Sequence, residues 1–519
     1  MAQSTSAGKA SGELATDSAL FVAIFVSALA LVLSLRVPTF IHHDTSEVVM
    51  WGHSGWAAGF WKHPPFLPWL TRAWFSLVPM NALSLAVLTA ANMTVCAWAV
   101  WSIARMSDDG IANEKAGLIA VGLLICVPFA SVMAIKLNHN TILISIWPLT
   151  IFAFLRAVDR PTIARGALFG ILAAVAVLAK YYSMLLLAAC IVASFAVPAR
   201  AWRFYRSPAP YVAVAAFMLA MTPHLVWMLE RASTPLDYAF KAGAANPVAA
   251  ARGPAMALAF TVQASLLLLP VAIITWLLAR PRPIADNRRY WRSTSHPHER
   301  ALILLTVVPY VLTIALVFAF HLRGAVAWAM PVFVCLPALI AARISRIPEW
   351  LSQRAPRLAV IAVVATVITG QTAARIAVTR GVDGVSEPRR EIAEAVTELW
   401  HSTQAGPLPI IAGDQRLTSA AVIFSADHPQ GWPSFSATQA PWIDPAIASQ
   451  TGFIGLCRPA DSSCIELASK AAGGRGLRCT IMRRVEFLGA QGPWFEAIVF
   501  LVPPVASTIP ATCPNTGLL

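Results

Sequence analysis

The sequence predicts a mainly α, polytopic membrane protein with about eleven transmembrane helices, followed by a C-terminal α/β domain outside the membrane. Three observations carry this expectation. The 519 residues are 57% hydrophobic and only 12% charged, a balance that would leave a soluble chain with more apolar surface than it could cover. Apolar runs approaching the ~20 residues needed to cross a bilayer recur through most of the chain. After Ile376 the hydropathy drops and short strand-like and helix-like runs replace the long ones.

Residues 1–17 are polar with little positive charge and read as disordered. The run Leu20 to Leu35 resembles a signal peptide, but Arg36-Val37-Pro38 offers no small-residue cleavage site, so it is expected to stay as a helix. The next runs are Leu83 to Ile103, Ala116 to Ile135, Thr141 to Phe154, Ala167 to Leu178 and Ser183 to Val197, the last two split at Lys180. Tyr211 to Leu229, Ala255 to Ala279, Ala301 to Phe320, Ala325 to Ala341 and Leu358 to Ile376 complete the series. Basic residues gather on alternate connections: Arg156, Arg160 and Arg165; Arg200, Arg203 and Arg206; Arg280, Arg282, Arg288, Arg289 and Arg292; Arg343, Arg346, Arg354 and Arg357. Short cytoplasmic loops retain Lys and Arg, which puts the N-terminus inside and the segment after Ile376 outside. The net charge of +14 is then mostly topology, and no nucleic-acid partner is expected.

The tail from 377 to 519 reads as a small α/β domain. "PLPIIAGD", "TGFIGLC", "CTIMRRVEFL" and "WFEAIVFLVPP" suggest strands; "EPRREIAEAVTELW" and "DSSCIELASKAA" suggest helices. Cys96, Cys126, Cys190 and Cys335 lie in apolar runs, whereas Cys457, Cys464, Cys479 and Cys513 lie in the tail. An even number outside the membrane predicts two disulfides, with Cys457 to Cys464 the local pairing. Asp414 and His428 stand alone there and read as ordinary loop residues.

The unusual polar residues concentrate at the outer ends of the apolar runs. The first outer loop, 38–80, contains "HHDTSEVVMWGHSGWAAGFWKHPPFLPWL", residues 42–70. Asp44 followed by Glu47 has the spacing of a capping box that starts a short helix, and a carboxylate held at a membrane surface is also an oriented base. His42 and His43 are adjacent and expected to point apart, with no His-x-x-x-His spacing, so no metal site is assigned, and the cofactor expectation is none beyond a possible divalent cation. Pro64 and Pro65 stiffen Lys62-His63, and Trp56, Trp61, Trp69 and Trp74 fit an interfacial belt. Lys62, Lys136, Lys180 and Arg323 all fall on the face normally depleted of positive charge, which points to an anion site.

An acid after the first helix, Trp51 seven residues later, and the Gly59-Phe60-x-x-His63-Pro64-Pro65-x-x-x-Trp69-Leu70 segment resemble the first outer loop of the glycosyltransferase family that includes protein O-mannosyltransferases and lipid A aminoarabinose transferases. "NHNTILISIWPL" and "LAKYYSMLLL" resemble further segments of that family. The resemblance implies a GT-C fold with the active site in 38–80 of an 18–376 transmembrane catalytic domain, and an inverting hexosyl- or pentosyltransferase. Its donor would be a polyprenyl-phosphate sugar, and its acceptor lipid A, lipopolysaccharide core, another envelope glycolipid or a protein. Asp44 would be the base, with Glu47 as a second catalytic residue orienting it or sharing the proton; Lys62 or His63, with Lys180 and Arg323, would hold the donor phosphate. Asn138, His139, Asn140, Tyr181 and Tyr182 would meet sugar or acceptor; many members carry an acid where this chain has Asn140. The implied place is the cytoplasmic (inner) membrane, with the active site and the tail in the periplasm. A transporter or flippase of a lipid-linked sugar would also need outer cations, but the spans are almost bare of mid-membrane charge. A sensor with a ligand-binding outer domain is a third reading, for which the tail shows no catalytic cluster.

Overall fold

Helix is what every apolar run becomes. The computed structural model describes residues 2–34, 41–106, 113–231, 238, 253–278, 298–320, 326–341, 349–507 and 512–513. Arg280, Arg282, Arg288, Arg289, Arg292, Arg343, Arg346 and Arg323 lie outside the described residues. The first helix, α1 (Ala2–Ser34), takes in residues 2–17, which composition alone reads as disordered. By length and composition, four helices can cross a membrane: Ala82–Ala104, Ala209–Glu230, Gly253–Trp276 and Glu299–Ala319. The number rises to six if two bent pairs each make one span. Glu114–Ile125 turns by 86° into Pro128–Ile135, and Tyr181–Ser194 turns by 110° into Pro198–Tyr205. In both pairs the second limb begins at a proline, whose missing N–H suits a helix start and not a helix interior. The chain is thus a mainly α, membrane-associated protein with four to six candidate spans among the described residues and an extramembrane α/β domain at its C-terminus.

Two compact units divide the chain: residues 1–31, 62–66 and 87–363 form one, and residues 32–61, 67–86 and 364–519 the other. In the first unit, α7 (Ile163–Ala179) packs against both α6 (Leu143–Asp159) and α10 (Ala209–Glu230), and Leu143, Trp147 and Ile151 of α6 are buried. Gly166 and Gly170 of α7 lie so close to α10 that a Cβ would fall 2.2 Å from the Ala209 carbonyl oxygen and 2.1 Å from that of Ala213. This is the small-residue packing by which helices approach in membranes, where apolar burial gives little drive. At the far end of α6, Asp159 accepts from His298 at 2.8 Å and pairs with Arg200 at 3.3 Å.

The second unit holds a five-stranded sheet in the order β2-β1-β3-β7-β4. Its strands are β1 (Ile410–Gly413), β2 (Gln430–Pro433), β3 (Phe453–Cys457), β4 (Leu477–Arg483) and β7 (Phe495–Val502). β1 runs parallel to β2 and β3, while β7 is antiparallel to β3 and β4. A small hairpin, β5 (Glu486–Phe487) and β6 (Ala490–Gln491), stands apart from the sheet. The expected strands and helices are present, and β2 and the Gln415–Phe424 and Pro445–Thr451 helices are added. Disulfides join Cys457 to Cys464 and Cys479 to Cys513, and Cys96, Cys126, Cys190 and Cys335 are free.

One carboxylate in this domain is poorly accommodated. Burial pushes the Glu391 carboxyl up to about 7, and its Oε2 is buried with no hydrogen-bond partner among the described residues. A raised carboxyl favours the fold most below its unfolded value, and this contribution is lost as pH rises through about 7. Glu391→Gln is therefore expected to raise the thermal midpoint at pH 8 and to change it little at pH 5. Equal shifts at both pH values would contradict this account.

Candidate active site

The candidate carboxylates sit on α2 (His43–Ser54) in the second unit. The helix starts two residues earlier than a capping box on Asp44 requires: His42 is the N-cap, and its Nδ1 accepts from the Asp44 N–H at 3.3 Å. The Asp44 side chain is thereby spared from capping and lies in the first turn, where the helix dipole favours an anion. It pairs with His43 Nε2 at 3.1 Å, while His42 Nδ1, already the acceptor of the Asp44 N–H, lies 3.6 Å from the carboxylate. The two imidazoles do not diverge, as adjacency had suggested, but stack with centroids 4.4 Å apart. His42, His43 and Asp44 each offer a ligand atom within 4.8 Å of the others, a set that could hold a divalent cation.

Glu47 faces the α/β domain. It is 3% exposed, and its Oε1 accepts from Gln415 Nε2 at 2.5 Å. Ser46 shares a hydrogen bond of 2.9 Å with Ser419 one turn along the same helix. That helix begins where it does because Gly413 adopts a φ of 109° at the end of β1, with no room for a Cβ beside the Leu456 carbonyl. Asp414 then caps it through the Arg416 and Leu417 N–H groups and pairs with Arg458 at 3.0 Å. Asp414 is therefore structural and not isolated. His428 is also engaged: its Nδ1 lies 3.0 Å from the Val422 carbonyl, at a φ of 46°. Behind the start of α2, the buried Arg389 donates to the Ile41 carbonyl at 2.8 Å and to Glu387, which also binds Arg458 at 2.6 Å. Trp51, wholly buried, stacks on Phe60 at 5.0 Å.

The candidate cations among the described residues lie in the first unit. His63 stacks on His139 with centroids 4.0 Å apart, and His139 Nδ1 bonds the Ala179 carbonyl at 2.8 Å. Asn138 turns its Oδ1 back onto the Asn140 and Thr141 N–H groups, both at 3.0 Å, and so shapes the turn that precedes α6. Lys180 interrupts the apolar run in an extended conformation between α7 and the Tyr181–Ser183 turn. Its Nζ donates to Asn140 Oδ1 and lies 6.0 Å from the Tyr182 ring centroid and 5.7 Å from that of Trp328. Tyr181 shares a hydrogen bond of 2.7 Å with His224, and Tyr182 one of 2.6 Å with Thr313. Asn140 therefore meets a lysine where a carboxylate would have neutralised it.

Burial lowers the His63 pKa well below its ordinary value, and the nearby His139, Lys180 and Lys62 lower it further. His63 is accordingly neutral near pH 7, which leaves Lys62 and Lys180 as the cations of this cluster. The structure thus brings together Lys62, His63, Asn138, His139, Asn140, Lys180 and Tyr182 in one unit, and Asp44 and Glu47 in the other. Arg323 lies outside the described residues. Sequence reasoning missed His42 and His43 as partners of Asp44, and Gln415, Ser419, Trp328 and His224 as neighbours of site residues. Only the histidines, flanking the acid, carried a signal that could have been read.

Residues 62–227 match the family described as dolichyl-phosphate-mannose-protein mannosyltransferase. Two curated relatives come from Rhizobium johnstonii. The lipopolysaccharide core galacturonosyltransferase RgtA is 26% identical over 42% of this chain and 43% of its own length, so that this match spans less than half of that relative. The lipopolysaccharide core galacturonosyltransferase RgtB is 23% identical over 80% of this chain and 84% of its own. Among solved structures, ArnT from Cupriavidus metallidurans bound to undecaprenyl phosphate superposes with a TM-score of 0.57 at 14% identity, covering 95% of this chain and 99% of that one. The same protein in the apo state gives 0.54 at 13% identity, covering 96% and 100%. The fold is shared with both.

Proposed function

We propose, for a chain related by fold and sequence to the GT-C polyprenyl-phosphate-sugar glycosyltransferases, the same class of reaction: transfer of a sugar from a polyprenyl-phosphate donor to an envelope glycolipid or protein acceptor. The observation that carries the reading is the cationic cluster, in which Lys180 is held by Asn140 beside two aromatic faces and near His63. A sugar phosphodiester departs as a phosphate anion, so its leaving group needs fixed cations and no general acid. Lys62 and Lys180 supply them. Asp44 takes the proton of the acceptor hydroxyl as its oxygen attacks the anomeric carbon, the bond to the phosphate oxygen breaks, and the configuration inverts. Arg323 is assigned to the same phosphate, Glu47 to the support of the Asp44 helix, and Asn138, His139, Asn140, Tyr181 and Tyr182 to the sugar and acceptor. The relatives named for lipopolysaccharide core transfer favour a lipopolysaccharide acceptor. Lys180→Met is expected to weaken binding of a synthetic polyprenyl-phosphate sugar by roughly 10- to 100-fold. Unchanged affinity and turnover would remove the phosphate assignment.

The finer topology belongs to the same proposal. About eleven spans, an inside N-terminus and an outer C-terminal domain from about residue 377 agree with alternate arginine-rich connections and with two disulfides confined to the tail. An impermeant maleimide on intact cells is expected to label the tail cysteines only after reduction. If labelling also required permeabilising the membrane, the orientation would be reversed.

A further inference from the structure

The geometry points to a second subsite: the pocket between the end of α2 and α3 (Phe66–Phe75) binds an anionic saccharide, a sugar carrying a phosphate or a carboxylate, as part of the acceptor. This deepens the glycosyltransferase reading and rests on it. The pocket lies wholly within the second unit and has a volume of about 300 Å³, at the small end of the roughly 300–1,000 Å³ of small-molecule sites. Gly52 sets its width. A Cβ there would fall 2.4 Å from Thr71 Oγ1 and 2.6 Å from the Pro68 carbonyl, so only glycine lets the two helices come this close.

Arg72 is the pocket's fixed cation. Its Nη1 donates to the Gly52 and His53 carbonyls at 3.2 and 3.3 Å, which covers the negative end of α2 and pins the guanidinium. An arginine carries five N–H donors in a rigid fork, and those on Nε and Nη2 are not used by these two bonds. The guanidinium carbon lies 5.5 Å from the Trp56 ring centroid, and Trp56 is 61% exposed. An open indole face beside a held cation is a platform on which a sugar ring stacks its C–H face while an anionic substituent meets the arginine. His53 also lines the pocket, close to Arg72 and to His428 of the α/β domain. Among the described residues no carboxylate lines the pocket.

Cellobiose, cellobiose 1-phosphate and cellobiouronic acid, with inorganic phosphate as a fourth probe, test the assignment by calorimetry on the full detergent-solubilised chain. The two charged disaccharides are expected to bind at least roughly tenfold more tightly than cellobiose, and more weakly as salt is raised. The tighter of the two identifies the anion. Trp56→Ala should bring cellobiose 1-phosphate down to the affinity of inorganic phosphate, and Arg72→Gln should erase the preference for charge. Arg72 also ties α2 to α3, so Arg72→Lys serves as the milder variant: it keeps the charge, loses the fork, and is expected to bind with intermediate affinity. Equal binding of neutral and charged probes, or probe binding unaltered in all three variants, would overturn the subsite. So would a Trp56→Ala variant whose only change is weaker partition into liposomes, the mark of an interfacial anchor. Probe binding is read without turnover, so a chain that binds these probes but transfers no sugar would remove the glycosyltransferase reading and leave the subsite standing.

Discussion

Asp44→Asn is expected to lower turnover by roughly 10²-fold or more while expression and donor affinity stay near those of the parent. The substitution preserves shape. The cap of α2 is provided by His42, whose ring accepts the N–H of residue 44 whatever its side chain, so the helix start survives. Lost are the proton-accepting carboxylate and its pairing with His43. The loss of a first-turn anion costs stability of only about 0.3–1 kcal/mol, visible as a small fall in thermal midpoint and too little to explain a hundredfold effect. His43→Gln, which removes the closer partner and keeps the carboxylate, is expected to have a smaller effect. The assay needs purified protein, a synthetic polyprenyl-phosphate sugar and an extracted glycolipid acceptor. Turnover of the Asn variant within a few-fold of the parent would leave Asp44 with no role in the chemistry.

The largest stability loss is expected from Arg389→Leu, at about 3–5 kcal/mol. Arg389 is 2% exposed and neutralises Glu387, itself 3% exposed, through Nε and Nη2 while holding the Ile41 carbonyl. Burial alone would raise the Glu387 carboxyl, but Arg389 and Arg458 more than offset this and hold it below its ordinary value. A depressed carboxyl contributes stability above its unfolded pKa that is lost as the pH falls through the folded one, so the network weakens in acid. Removing the arginine strands a buried carboxylate with Arg458 at 2.6 Å and the more exposed Arg416 at 3.7 Å as its remaining partners. Glu387→Leu with Arg389→Leu should therefore cost much less than the two single losses summed. Denaturant midpoints of the four proteins measure the coupling, and strict additivity would show that the pair acts as two independent surface charges.

Hydropathy made the helical half of the molecule legible because every apolar run reports burial in lipid or protein directly. Span number was less legible: Pro128 interrupts the run from Ala116 to Ile135 that composition reads as continuous, and hydropathy is blind to a bend. In the α/β domain the strands with long apolar stretches could be seen, whereas Gln430-Gly431-Trp432-Pro433 has too little pattern to announce β2. At the site, Asp44, Lys62, His63 and Lys180 stood out because charge is rare in such a chain. Gln415 and Ser419 could not, since an uncharged polar residue in a polar domain is ordinary until a partner hundreds of positions away is known. Capping was misassigned for a local reason. A histidine ring at 42 took the role that Asp44 suits by residue type, and only geometry separates the two.

The bonds that hold the Asp44 helix also set when it can be completed. Ile41 and Arg389 are separated by 348 positions, Glu47 and Gln415 by 368, and Ser46 and Ser419 by 373. At about 5–20 residues per second, the ribosome makes the last of these partners roughly 20–70 s after the loop has emerged. During that interval Glu47, Ser46 and Met50 have no α/β domain to pack against. A chain that stops before residue 389 would keep its apolar helices and the whole 62–227 segment, yet its Asp44 helix would never acquire its supports. Support of the Asp44 helix is thus coupled to completion of the polypeptide by the order of synthesis itself.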